Sequence, residues 1–160
     1  MAPAANESGV ERVPRERLAE NVELAREVGW PDTEADWEVM HEGALVLGIR
    51  AEGALVAQGA LGLYGSVGTI AKMIVSPRFQ RCGLGLRILD ALLAEAECRS
   101  MTLLGLVATP YGRPLYERRQ FRPAARLAIA SRSPLPRATP CPFPRPPRGG
   151  LSARTRCAGR

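Results

Sequence analysis

The stretch from Val75 to Ala108 constrains the fold of this chain more than any other. An apolar segment ends at Val75, a loop follows with Gly83 and Gly85, and Gly83 to Arg99 then reads as the strongest helix in the sequence. Leu86, Leu89, Leu93 and Ala96 fall on one face of it, with Ile88 and Leu92 beside them, which is helical spacing. Thr102 to Ala108 is a continuous apolar run of strand length, and such runs are expected where a strand is buried on both faces. Strand, glycine loop, helix and strand in succession predict an α/β architecture.

The flanking sequence supplies further elements. Glu16 to Val28 predicts an amphipathic helix with Leu18, Val22, Ala25 and Val28 on one side, broken by Gly29-Trp30-Pro31. A short helix over Glu34 to His41 follows, which either Asp32 or Thr33 can cap, and Thr33 with Asp36 resembles a capping box in its acid form. Three strands are expected at Ala44–Arg50, Ala54–Leu63 and Gly68–Val75, separated by turns at Ala51-Glu52-Gly53 and Tyr64-Gly65-Ser66. A last helix covers about Gly112 to Arg119, with Pro114 in its first turn, where a missing N–H costs little. His41 reads as a helix-end surface residue, and Trp30 and Trp37 read as core.

Charge divides the chain in two. Of 160 residues, 1–121 hold 13 Arg and Lys against all 16 Asp and Glu, whereas 122–160 hold nine Arg and no acid. The net +6 therefore belongs to the tail, and the body carries −3. Residues 132–160 contain seven Pro and seven Arg without apolar periodicity, so this segment is expected to be a disordered Pro/Arg-rich tail after a domain spanning 10–131. Phe143 is the tail's only aromatic, which argues against a nucleic-acid partner. No apolar run approaches the ~18 residues of a membrane span. Met1 to Arg12 has no apolar signal core, so the expected compartment is the cytoplasm. Cys82, Cys98, Cys141, Cys157 and the single His41 lack the close spacing of a zinc site, and no metal is expected.

The loop itself has a chemistry. Val75-Ser76-Pro77-Arg78-Phe79-Gln80-Arg81-Cys82-Gly83-Leu84-Gly85 aims free backbone N–H groups and the positive end of a helix dipole at one point. Gly83 and Gly85 let an anion approach the backbone closely. A P-loop is excluded because the one lysine, Lys72, precedes the loop rather than standing in it. A dinucleotide fingerprint fails at Ile88, where a small residue is required. The Tyr64-Gly65-Ser66-Val67-Gly68 segment lacks the first glycine of a nucleophile elbow.

Gln80-Arg81-Cys82-Gly83-Leu84-Gly85 fills the Gln/Arg-x-x-Gly-x-Gly/Ala signature of the GCN5-related N-acetyltransferases (GNAT), and Pro114-Leu115-Tyr116-Glu117-Arg118-Arg119-Gln120-Phe121 resembles that family's Leu-Tyr-Glu-x-x-Gly-Phe segment. The order of elements is similar too. The resemblance covers residues 10–131 and implies a mixed, mainly antiparallel sheet with flanking helices, with acetyl-CoA as co-substrate lying between splayed strands. It implies that Met73, Ile74 and Val75 offer backbone groups to the pantetheine arm and thioester. It also implies that Gln80, Arg81, Cys82, Gly83, Leu84 and Gly85 wrap the pyrophosphate, with Cys82 at a variable position. Thr109 stands where relatives have a cofactor-contacting asparagine, and Tyr116 corresponds to the tyrosine that protonates the departing thiolate. The implied acceptor is the primary amine of a small molecule or peptide, and a homodimer is compatible with the family. Asp32, Glu34, Asp36 and Glu52 are candidate bases without a motif. The Trp30-Pro31-x-Thr33-x-x-Asp36-Trp37 stretch resembles the N-terminal domain of bacterial two-domain acetyltransferases.

Two features depart from the family pattern. Gln120 replaces a helix-ending glycine, and beyond Arg126–Ser131 nothing resembles the family's last strand, so one or more C-terminal strands read as lost. The alternative expectation is therefore a catalytically impaired CoA-binding relic with a truncated or frameshifted C-terminus.

Overall fold

Period-two alternation along residues 44–75 sends Leu45, Leu47 and Ile49 to one side of a sheet and Ala44 and Val46 to the other. In the computed structural model, which describes residues 9–125, these residues form long antiparallel strands. The chain runs β1 (Glu11–Arg12), α1 (Leu18–Glu27), α2 (Glu34–Gly43), β2 (Ala44–Ala51), β3 (Ala54–Tyr64), β4 (Val67–Val75), α3 (Leu84–Cys98), β5 (Leu103–Leu106) and α4 (Arg113–Glu117). The sheet order is β1-β2-β3-β4-β5; the first four strands are antiparallel and β5 lies parallel to β4. This is the mixed, mainly antiparallel sheet expected from the sequence. The short β1 was not predicted; it brings Val13, only 1% exposed, into the core.

Each sheet face is covered differently. On one, Ile88, Leu89 and Leu92 of α3 pack on Leu45, Leu47, Ile49, Leu61 and Ile70. On the other, Val22, Leu24 and Ala25 of α1 and Trp37 of α2 pack on Val46, Ala60 and Ile74. The second face also holds a polar chain. Buried Asn21 donates from Nδ2 to Gln58 Oε1 at 2.8 Å, and Asn21 Oδ1 lies 3.1 Å from His41 Nε2. His41 is thus half-buried and partnered rather than a surface residue, and burial pushes its pKa below the usual 6.5.

Helix ends follow the sequence closely. Thr33 and Asp36 form the capping box of α2, with Asp36 N–H donating to Thr33 Oγ1 (3.3 Å) and Thr33 N–H to Asp36 Oδ2 (2.8 Å). After α4 the chain turns with the N–H of Gln120 bonded to Glu117 O and that of Phe121 to Tyr116 O, a Schellman arrangement. Gln120 sits at φ +65°, the conformation the family glycine would adopt without cost.

Two further expectations are corrected. The run 102–108 yields only four strand residues, of which Leu104 and Leu106 pack on the core while Leu103 (61% exposed) faces solvent on the other side; Val107 (68%) lies beyond the strand. Trp37 is fully buried, but Trp30 is 38% exposed, since the turn after α1 carries it to the rim. The Arg126–Ser131 segment and the tail 132–160 lie outside the described residues.

Replacing Gln120 with Gly is expected to raise stability by up to about 1 kcal/mol, since left-handed backbone costs an L-residue about that much. Urea unfolding with an unshifted midpoint would contradict this. Stability should also fall as pH drops from about 7 to 5. Below pH 6.5 the unfolded chain protonates its histidine while folded His41, with its lowered pKa, resists. The same titration of His41→Gln should show a shallower fall over this window.

Candidate active site

Along β4, Ala71 opposes Ala60 and Ile74 opposes Gln58, so Lys72 and Met73 together face Gly59. This is a β-bulge, and Lys72 takes φ +54° to make it. Gly59 is required opposite: a Cβ there would stand 2.5 Å from Met73 Sδ and 2.6 Å from Ile88 Cγ2. The bulge turns the strand just where β5 departs. Parallel pairing of β4 with β5 runs from Val67–Leu103 to Ile70–Leu106 and stops, while β4 continues to Val75. A fork opens between residues 71–75 and 107–109.

The glycine loop closes the base of β4. Ser76 N–H bonds Val56 O at 2.8 Å and buried Phe79 anchors a single 3-10 turn, leaving Arg78, Gln80, Arg81 and Cys82 exposed. Arg81 (φ +63°) and Gly83 (φ +79°) both adopt left-handed backbone, which swings the chain into α3. That helix starts with no side-chain cap and no acid in its first turn, so its leading N–H groups and dipole remain available to an anion. A Cβ on Gly83 would meet nothing within 4 Å; the glycine serves the backbone angle and an open approach. Gln80 spans the fork, donating from Nε2 to Val75 O (3.2 Å) and accepting from Tyr111 Oη (3.4 Å).

From the far side comes α4. Thr109 Oγ1 accepts from Gly112 N–H at 3.1 Å, which starts the helix, and Arg119 grips Asp90 of α3 through two bonds of 2.5 and 2.8 Å. Leu115 Cδ2 lies 3.7 Å from the Cβ position of Gly85, so α4 leans on the first turn of α3. Tyr116 is 8% exposed, meets Phe121 edge-on at 6.2 Å, and is pushed above its usual pKa of 10 by burial. It therefore holds its proton at neutral pH.

The residues named from sequence thus converge. Met73, Ile74 and Val75 lie on the end of β4 that has no neighbour on the β5 side, Gln80 to Gly85 follow in the loop after it, and Thr109 and Tyr116 follow β5 on the other arm. Thr109 has a visible task as the helix-starting acceptor. Cys82 is exposed and only donates weakly to Gln80 O, as befits a variable position. Among the acids, Asp32 is ion-paired with Lys72, Asp36 is in the capping box, and Glu34 and Glu52 are exposed. The sequence did not signal the Tyr111–Gln80 contact or the Lys72–Asp32 ion pair, each of which joins residues far apart in the chain. No group of three or more metal-ligating side chains is found among the described residues, and no described helix is long and apolar enough to cross a membrane.

A forked mixed sheet with an uncapped helix N-terminus at its base is the architecture of acetyl-group transferases, and residues 12–121 match the model of the acetyltransferase (GNAT) family; the chain belongs to that family. An uncharacterized N-acetyltransferase, YitH of Bacillus subtilis (strain 168), is 29% identical over 115 residues, which is 71% of this chain and 40% of that one. The chain thus spans about two fifths of that relative's length. The ribosomal-protein-S18-alanine N-acetyltransferase of Escherichia coli superposes with a TM-score of 0.68 at 22% identity, covering 74% of this chain and 79% of the other. Glucosamine-6-phosphate N-acetyltransferase of Arabidopsis thaliana does so at 0.66 and 14% identity, over 79% and 99%. These two likenesses are of fold.

Replacing Gly83 with Val should weaken CoA binding at least about tenfold, since a β-branched residue resists φ +79° and its side chain enters the anion's approach. Calorimetry giving unchanged affinity would remove the loop from the binding site.

Proposed function

We propose that the protein is an acetyl-CoA-dependent N-acetyltransferase acting in the cytoplasm, with residues 10–131 as its working domain. It would transfer acetyl to the primary amine of a small molecule or peptide by direct attack on the thioester. The observation that carries this reading is the fork: beyond Ile70 the β4 backbone has no neighbour on the β5 side, α3 begins beside it without a side-chain cap, and the buried, protonated Tyr116 packs in one cluster with Phe79 and Leu84 of the intervening loop and helix.

In this reading the backbone of Met73, Ile74 and Val75 holds the pantetheine arm and donates to the thioester oxygen as charge develops there. Gln80, Arg81, Cys82, Gly83, Leu84 and Gly85 receive the pyrophosphate, mainly through main-chain N–H groups. Thr109 keeps its hydroxyl proton for the cofactor while its lone pair serves Gly112. Tyr116 is the general acid. The Tyr116 proton passes to the sulfur as the C–S bond breaks, and the proton that the attacking nitrogen sheds on becoming an amide restores the phenol. The acceptor must lose a proton before attack, and a water path serves better than Asp32 or Asp36, whose carboxylates are already engaged.

Tyr116→Phe should lower turnover about 100-fold, the usual scale of general acid catalysis, while acetyl-CoA affinity stays within a few-fold. Unchanged turnover would remove the acid role. Thiol release on a panel of primary amines, read beside calorimetry, tests the whole reading; tight CoA binding without release by the wild type would instead favour the relic.

A further inference from the structure

Lys72 sits on the bulge, and its surroundings go beyond what a bulge needs. Its Nζ donates to Asp32 Oδ1 at 2.7 Å and stands 5.7 Å from the ring centroids of both Trp30 and Trp37. The two charged side chains are only 21% and 10% exposed, so the pair is largely screened from water by the two indoles. Asp32 Oδ2 and Trp37 Nε1 are buried without a hydrogen-bond partner, and among the described residues Lys72 is the ion-pair partner of this carboxylate. Asp32 lies on the turn between α1 and α2, 40 residues away in sequence. On the opposite face, Met73 reaches over Gly59 towards Ile88. The bulge is held from both sides.

We propose that Lys72 is a positioning residue for acetyl transfer, with Asp32 as its anchor. The pair holds the left-handed turn at residue 72, so that Met73 to Val75 present their backbone to the thioester, and it ties that backbone to the α1–α2 turn. This rests on the acetyltransferase reading. The pair acts on where the acetyl group lies and not on the pyrophosphate, which the loop and α3 receive independently.

Three variants of the full chain test this: Lys72→Met, which keeps the stem and removes the charge, Asp32→Asn, and Lys72→Arg. Hydrogen exchange of the segment 70–76 should quicken at least about tenfold in the first two, because the local opening no longer breaks an ion pair. Acetyl-CoA affinity by calorimetry should fall at least about fivefold and CoA affinity by a smaller factor, since CoA keeps its pyrophosphate contacts and has no thioester contact to lose. Lys72→Arg should stay near the wild type in both. Unchanged exchange and unchanged acetyl-CoA affinity in Lys72→Met and Asp32→Asn would overturn the proposal. So would exchange that quickens equally in β2 and β3, which marks general destabilisation. If the wild type binds neither CoA nor acetyl-CoA, the acetyltransferase reading falls, and exchange at 70–76 still decides the tie: local quickening upholds it and none refutes it.

Discussion

Everything at the site depends on β4 and β5 being parallel and parting after four residue pairs. Antiparallel neighbours can be joined by a tight turn, but parallel ones need a crossover, and α3 is that crossover. The helix must therefore begin at the carboxyl end of β4, with its N-terminus beside the point where the strands separate. Ligands of sheets with helical crossovers gather at such points for this reason. The bulge at Lys72 and Met73 turns β4 off its course, and the four-residue length of β5 leaves the far end of β4 without a partner on that side. One topological requirement thus brings together unpaired backbone, a helix dipole and the buried tyrosine of α4.

How much of this was legible in the sequence depended on the range of the interaction. The extent of α3, the Thr33–Asp36 box and the glycine loop are local events, fixed by spacing within a turn or two, and the structure has them where spacing puts them. The bulge was not legible. Nothing in Thr69-Ile70-Ala71-Lys72-Met73-Ile74-Val75 marks an extra residue, because a bulge is a relation to the opposite strand, and the need for Gly59 appears only once Met73 and Ile88 are seen around it. The apolar run at 102–108 misled for a related reason. Apolar residues show that a segment tolerates burial, while the layers packed on its two faces decide whether it is buried, and β5 is packed only at Leu104 and Leu106. Trp30 and Trp37 carry the same side chain seven residues apart, and only packing separates the fully buried one from the one at the rim.

The two faces of the sheet divide the work. The α3 face is apolar throughout its centre, and its cohesion comes from area removed from water, which has no direction. The α1–α2 face carries Asn21, Gln58 and His41 in one chain and Asp32 with Lys72 in another. Hydrogen bonds and ion pairs have geometry, and an unmatched partner in a buried layer is costly, so this face resists sliding in a way that aliphatic packing does not. Arg50 adds a third tie at the far edge of the sheet, joining Glu11 of β1 and Glu20 of α1. Layer position is thereby set by polar contacts on one side while the other supplies bulk stability.

The distribution of backbone strain obeys the same logic. Among the described residues five non-glycine residues have left-handed φ: Glu52 and Ser100 sit in ordinary turns, but Lys72, Arg81 and Gln120 all border the fork or the helix that carries Tyr116. A strained residue persists only where its surroundings over-determine it. For Lys72 these are Asp32 and two indoles; for Gln120, two carbonyl hydrogen bonds and the edge contact of Tyr116 with Phe121. Lys72 is held from the α1–α2 turn and from α2, and Gln120 from α4 itself. Relaxing one angle would shift either the exposed backbone of β4 or the tyrosine opposite it. The strained angles therefore lie where the two arms of one opening meet the elements that hold them.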